Sequence, residues 1–202
     1  DVNRSRTNAW RWLIAPTLIA SALLSANALG AAEVEQNGAL FATERSTDGE
    51  SLVLTGTGVA RYRVIFTVYA AGLYLPEQTP ENAILAPDTP RRLEIEYFHT
   101  IAASDIIKAA NTKLETQLSA AELERLRPAI ARFHALYQGV EAGDRYHMDY
   151  QPGRGTELRF NSKPVGRVGG GDFARAYFGI WLDKDDPLSP SLRDDLLANV
   201  SD

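Results

Sequence analysis

Ser51–Glu77 reads SLVLTGTGVARYRVIFTVYAAGLYLPE, and this stretch decides the fold. Val, Ile, Phe, Tyr and Thr dominate it, residue types that suit a pleated, half-buried surface, while Gly56 and Gly58 punctuate it, so it reads as two strands. Side chains alternate along a strand. That rule sets Tyr62, Val64, Phe66, Val68 and Ala70 on one face, expected to meet a core. Arg61, Arg63, Ile65, Thr67 and Tyr69 fall on the other, which faces either solvent or a cleft.

Downstream, Pro76, Pro80, Pro87 and Pro90 frame a surface loop with room for one helical turn, and Leu93, Ile95 and Tyr97 then alternate with Glu94, Glu96 and Phe98 as a further strand. Ile107, Ala110, Leu114 and Leu118 recur at helical spacing behind Ser104 as an N-cap, and Ser119 with Glu122 forms a capping box for a second helix. Pro128 lies within that helix, lacks the backbone donor, and predicts a kink or a break. Strands return where Tyr146, Met148 and Tyr150 alternate with Arg145, His147 and Asp149, with turns at Pro152–Gly155 and at Asn161-Ser162. Gly169–Asp172 caps a helix carrying Phe173, Tyr177, Ile180 and Trp181, and Ser189-Pro190 opens the last one. Strands, helices, strands, helices: with hairpins joining the strands, this order predicts an α+β domain, an antiparallel sheet with helices layered on one face.

Upstream, Arg4, Arg6 and Arg11 precede the uncharged run WLIAPTLIASALLSANALGAA from Trp12 to Ala32, the layout of an export signal with A-x-A-like cleavage points. Residues 1–32 are therefore expected to be a cleaved signal peptide, 33–50 a polar linker, and 51–202 the domain, in a periplasmic or secreted protein. An uncleaved anchor helix is the alternative, since a span needs about 20 apolar residues; the leader is the sole membrane contact expected.

Several classes of chemistry are disfavoured. The net charge is -5, and more negative once the arginine-bearing leader is set aside, which suits no polyphosphate partner; no nucleic acid is expected. Absence of cysteine removes disulfides, thiolate nucleophiles and Cys-based metal sites. His99, His134 and His147 stand apart from ligand spacing, so no metal is expected, and no motif asks for a cofactor. What remains is Arg61 and Arg63, two apart on a strand, where a guanidinium beside an apolar wall would receive a carboxylate or enolate oxygen. A solvated strand face explains the same spacing. Tyr69, Tyr74 and Tyr97 could add hydroxyl donors, or be core tyrosines. On one straight strand Arg61 and Tyr69 would lie about 26 Å apart, so sharing a small ligand requires a bulge or a bend.

The run Gly56–Pro76, the Gly143-Asp144 pair before a strand, the Tyr150–Gly155 turn and the late Ile180-Trp181-Leu182 resemble the bacterial branch of the chalcone-isomerase-like family, from about Leu52 to Leu197. The resemblance implies an open-faced β-sandwich. It also implies a choice of activity, because the family holds chalcone isomerases, which cyclise a flavonoid precursor by intramolecular addition, and fatty-acid-binding relatives. The family's strand arginine matches Arg61 or Arg63. Its threonine before the A-x-G-x-Y-L segment meets Tyr69, with Thr67 two residues earlier on the same face. Its Tyr-Ser-Asp-Lys stretch falls on Ala103-Ser104-Asp105-Ile106, which loses both the tyrosine and the lysine; a shift of two positions recovers Lys108. Enolate chemistry needs donors placed where charge develops, so the expected function is a non-catalytic binder of a small anionic amphipathic ligand such as a fatty acid. The expected ligand-binding residues are Arg61, Arg63, Thr67, Tyr69 and Lys108. An isomerase or intramolecular lyase acting on a non-flavonoid substrate, and an envelope partner protein without a ligand, are the alternatives.

Overall fold

The structure, a computed structural model, describes residues 32–47, 49–62 and 66–201; the expected leader up to residue 31, and Arg63, Val64 and Ile65 of the expected strand faces, therefore lie outside the described residues. Seven strands follow one another in a meander: β3 (Glu44–Thr47), β4 (Glu50–Tyr62), β5 (Phe66–Leu75), β6 (Arg91–Tyr97), β7 (Arg145–Gln151), β8 (Gly155–Phe160) and β9 (Lys163–Val168), every neighbouring pair antiparallel. Between β6 and β7 the chain inserts α1 (Ala103–Gln117) and α2 (Ala120–His134); α3 (Gly171–Leu182) and α4 (Pro190–Leu196) follow β9. Alternation decides which sheet face they cover. Leu73, Leu93, Ile95, Met148 and Leu158 join one buried cluster with Leu114, Phe133, Phe173 and Leu192 of the four helices. The α+β architecture read from the sequence, with helices on one face of an antiparallel sheet, is what the chain adopts.

The leading stretch is arranged differently from the expected punctuation. Gly56 and Gly58 do not divide two strands; β4 runs through both. Their role is close approach, because a Cβ on Gly56 would stand 2.0 Å from the carbonyl oxygen of Asp195 and one on Gly58 2.7 Å from the Asp195 Cβ. The missing side chains let α4 lie on the strand. Gly56→Ala is thus expected to cost about 1–3 kcal/mol as an overpacked contact, read as a lower urea midpoint at an unchanged slope.

Strand β4 instead ends at Tyr62 and the chain resumes as β5 at Phe66, with Tyr62 paired to Phe66 and Ala60 to Tyr69. Arg61 and Tyr69 are thereby brought to neighbouring strands rather than spread along one. A register shift opposite Ala60/Arg61 leaves Val68 as the extra residue, and a bulge moves every later side chain to the opposite face. The expected sets hold for Tyr62 with Phe66 and for Arg61 with Thr67. Beyond the bulge they exchange: Tyr69 and Ala71 join the helix-covered core, whereas Ala70 is buried on the other face with Phe41.

Residues 33–50, expected as a linker, hold three strands. β1 (Glu33–Gln36) and β2 (Ala39–Ala42) form a hairpin and β3 is the sheet's first strand. Asn37 and Gly38 carry φ of 54° and 89°, the backbone that a two-residue type I′ turn demands and that an Asn-Gly pair favours. Phe41, fully buried, packs on Val59 and Ala70. Two helix expectations also change. α1 begins one residue before Ser104 with Ala102 at the N-cap and no side-chain cap, and α2 continues unbroken through Pro128. Pro128 is on the exposed side of α2, where water can take up the carbonyl it leaves unpaired. The Ser119–Glu122 capping box is present in both directions.

Behind the sheet, on the face without helices, Glu94 is fully buried and receives Arg45 Nε at 2.6 Å, Arg92 Nε at 2.8 Å and Arg145 Nη1 at 3.1 Å. Arg92 also reaches Asp149 and donates to His147 Nδ1 at 2.6 Å.

Candidate functional site

A cavity of about 670 Å³ lies between the helix-bearing face of the sheet and helices α1 and α3, within the range of small-molecule sites. Its outer wall is exposed: Tyr62 and Phe66 at the start of the β4–β5 hairpin, and Leu188 after α3, are 59%, 47% and 43% accessible. Phe66 is steadied by His99, stacked on it with ring centroids 4.2 Å apart. His99 in turn donates from Nε2 to the Thr67 carbonyl at 3.0 Å. The inner wall is buried and built from alternate residues of three strands: Tyr69 of β5, Ile95 and Tyr97 of β6, and Tyr146 and Met148 of β7. Helix α3 closes it with Tyr177, Ile180 and Trp181, and Tyr137 comes from the turn after α2.

Charged groups are scarce on this wall. Among the described residues that line it, the ionisable side chains other than tyrosine are Asp105 and Lys108, both exposed and one turn apart on α1. No carboxylate among the described residues pairs with Lys108. Nor does any group of three His, Cys, Asp or Glu among those residues stand ready to hold a metal ion.

The tyrosines differ in what their hydroxyls are already doing. Tyr146 Oη accepts from the Gln138 amide at 2.8 Å and donates to the Gln138 carbonyl at 3.0 Å, so it is saturated. Tyr177 Oη donates to Tyr137 Oη across 3.4 Å, and Tyr137 points toward the Met148 sulfur at 4.0 Å. Tyr69 Oη accepts from Trp181 Nε1 at 2.9 Å; an indole N–H can only donate, so the Tyr69 proton stays uncommitted. Tyr97 lines the void and makes no side-chain hydrogen bond among the described residues. Burial pushes the Tyr69 phenol up to about 12 despite the opposing Trp181 bond, and burial followed by neighbouring phenols pushes Tyr97 well above its ordinary value. Both are neutral donors across the physiological range.

Of the residues singled out from the sequence, Tyr69 and Lys108 line the cavity. Arg61 does not; it is exposed, paired across the strands with half-buried Thr67, and on the sheet face opposite Tyr62 and Phe66. Thr67 is likewise absent from the wall, and its carbonyl accepts from His99. Arg63 lies outside the described residues. Tyr97, a candidate donor, is on the wall, whereas Tyr74 sits behind the sheet, beneath Arg45 at 5.6 Å. Tyr137, Tyr177 and Trp181 read only as helical or loop hydrophobics in the sequence; nothing short of tertiary packing brings them to Tyr69.

Known proteins agree with this architecture. The crystal structure of a fatty-acid binding protein from Arabidopsis thaliana superimposes with a TM-score of 0.66 over 83% of this chain and 97% of that one, at 14% sequence identity, a likeness of fold. No curated protein sequence matches the chain. The sequence model described as chalcone isomerase-like matches residues 33–198, which takes in the β1–β2 hairpin as well as the sheet, the helices and the cavity between them, and the chain belongs to that family.

Proposed function

We propose that the protein is a non-catalytic binder of a small amphipathic molecule, an acyl chain or comparable apolar body held in the sheet–helix cavity with an anionic head group at Lys108. The observation that carries this reading is the cavity: about 670 Å³, walled mainly by aliphatic and aromatic side chains, with a single cation among its described lining residues, and that cation exposed. Burying apolar ligand surface there is favourable at roughly 25 cal/mol per Å² before the losses of association. The Arabidopsis neighbour, a fatty-acid binding protein with the same architecture, supports the same ligand class. Catalysis has little to work with, because Ala103 and Ile106 stand where the isomerases carry tyrosine and lysine, and the wall's buried phenols hold their protons too tightly for acid–base exchange near neutrality. Export to the periplasm or beyond belongs to the proposal and rests on residues 4–32 of the sequence; an alkaline phosphatase fusion to the full chain, active outside the cytoplasm, is its test.

Native mass spectrometry with palmitate is expected to show one bound molecule. Lys108→Glu should weaken palmitate binding about 5- to 10-fold, on the order of 1 kcal/mol for a partly exposed ion pair. If protein from a native-like host releases no small molecule on denaturing extraction and takes up no palmitate, the reading is wrong. A chalcone whose absorbance decays faster with the protein than without it would return the isomerase reading instead.

A further inference from the structure

Of the six exposed large apolar side chains among the described residues, three, Tyr62, Phe66 and Leu188, line the outer wall of the cavity. The others, Val34, Leu40 and Val165, line no part of it. Apolar side chains scattered singly over a surface need no explanation, but a group of them gathered in one place marks an interaction surface. The fold fixes this group in its exposed position. Phe66 stacks on His99, and the Leu188 amide donates to the Ile180 carbonyl at 2.7 Å.

What covers the patch is constrained by its place. The same three side chains are cavity wall, so a surface seated on them also meets the opening. A protein seated there would shut the cavity off from its ligand, whereas a bilayer continues the apolar wall into a phase where an amphipathic ligand already dissolves. The residue types agree, because tyrosine and phenylalanine suit the headgroup level of a membrane. Arg61, next to Tyr62 at the end of β4, is exposed on the other face of the hairpin; a guanidinium beside an apolar anchor can meet lipid phosphates. Acidic groups nearby are held within the fold. Asp183 accepts from the amides of Asp185 and Asp186 at 2.9 and 3.0 Å, and Asp186 pairs with Lys113 and accepts from Thr116. Asp185 has Lys184 beside it in the chain, and Asp105 offsets Lys108 one turn away on α1. Attachment is therefore mostly apolar, with Arg61 adding a preference for anionic lipid.

We infer that Tyr62, Phe66 and Leu188 form a docking surface for a phospholipid bilayer containing anionic lipid, across which the cavity exchanges its ligand with the membrane. The inference rests on the binding reading for the purpose of docking, but not for the surface itself.

The chain contains no cysteine, so Leu188→Cys places a single thiol on the patch and Val165→Cys a single thiol on β9, off the cavity wall. Each full-length protein is labelled with an environment-sensitive fluorophore and titrated with vesicles of phosphatidylcholine containing a minor share of phosphatidylglycerol. Emission from position 188 should shift to the blue and emission from position 165 should not. Tyr62→Ser/Phe66→Ser should weaken the partitioning read at position 188 by about tenfold or more, through the loss of two large apolar anchors. Arg61→Gln should weaken it about fivefold, the worth of one cation near an anionic surface. The same substitution should have no effect on vesicles of phosphatidylcholine alone and should leave palmitate affinity without vesicles unchanged, since Arg61 is not on the cavity wall. Equal shifts at both positions would mean attachment through another part of the chain and would overturn the inference. So would partitioning untouched by Tyr62→Ser/Phe66→Ser, or a shift at position 188 that grows with protein concentration in the absence of vesicles, which would seat a second copy on the patch. The two readings fail separately. Palmitate uptake with no vesicle response at position 188 removes the docking surface alone, whereas a vesicle response lost in Tyr62→Ser/Phe66→Ser, with no palmitate uptake, removes the fatty-acid reading alone.

Discussion

Glu94→Gln is expected to lower the folding stability by about 3–5 kcal/mol, the cost of removing the anion from a buried network whose cations remain. Glu94 is fully buried at the centre of β6, and Arg45, Arg92 and Arg145 converge on its two oxygens from β3, β6 and β7. Burial alone would push its carboxyl up, but the Arg45 bond and the neighbouring guanidinium charges more than reverse this and hold it down at about 2. Its contribution is therefore present above the ordinary carboxylate range and is lost as the pH falls toward 2. The wild-type protein and Glu94→Gln should differ most near neutrality and converge in acid, when urea midpoints are compared across pH. His147 adds a second acid-sensitive step. Burial holds it neutral down to about 3, with its Nδ1 accepting from Arg92. An unfolded histidine takes up its proton near pH 6.5, so stability begins to decline below that value, before Glu94 is affected. A midpoint in Glu94→Gln within 1 kcal/mol of wild type at pH 7 would show that the network is dispensable.

The same residues illustrate what the sequence reveals and what it withholds. On β6 and β7 strict alternation holds, and Leu93, Ile95, Tyr97, Tyr146, Met148 and Tyr150 are all buried toward the helices as the period-2 rule requires. The capping box at Ser119 and the Ser189-Pro190 helix start are local hydrogen-bond chemistry, visible in a window of four residues. The Asn37-Gly38 turn is equally local, but the strands it joins are only four residues each, and the first, EVEQ, is charged and exposed, which masks the signal. The bulge at Val68 has no such local signature. It flips Tyr69 toward the cavity and away from Arg61, so a residue list drawn from one side of an ideal strand mixes both faces of the real one. Likewise the glutamate on the far face of β6 reads as a solvated charge until the register sets Arg45 of β3 and Arg145 of β7 around it. The site divides in the same way. Tyr69, Tyr97 and Lys108 could be named from the sequence, but the helix-borne Trp181 that engages one of Tyr69's two hydrogen-bonding capacities could not.

Ala110→Phe should abolish ligand binding, with at least a hundredfold loss of palmitate affinity, while leaving the fold intact. Ala110 is on the buried side of α1 and lines the cavity opposite the sheet; a phenyl ring there enters the space an acyl chain needs, and the ring itself occupies the apolar wall. The hundredfold figure corresponds to about 2.7 kcal/mol, less than the burial energy of a chain several methylenes long at about 0.8 kcal/mol each. The substitution fills an existing void rather than a packed core, so the overpacking cost should stay at the low end of about 1–3 kcal/mol. Two measurements on one preparation separate the causes: titration with palmitate reports the blocked cavity, and the urea midpoint reports the fold. Palmitate bound with wild-type affinity by a folded Ala110→Phe protein would place the ligand somewhere other than between α1 and the sheet, and the binding reading would lose its site.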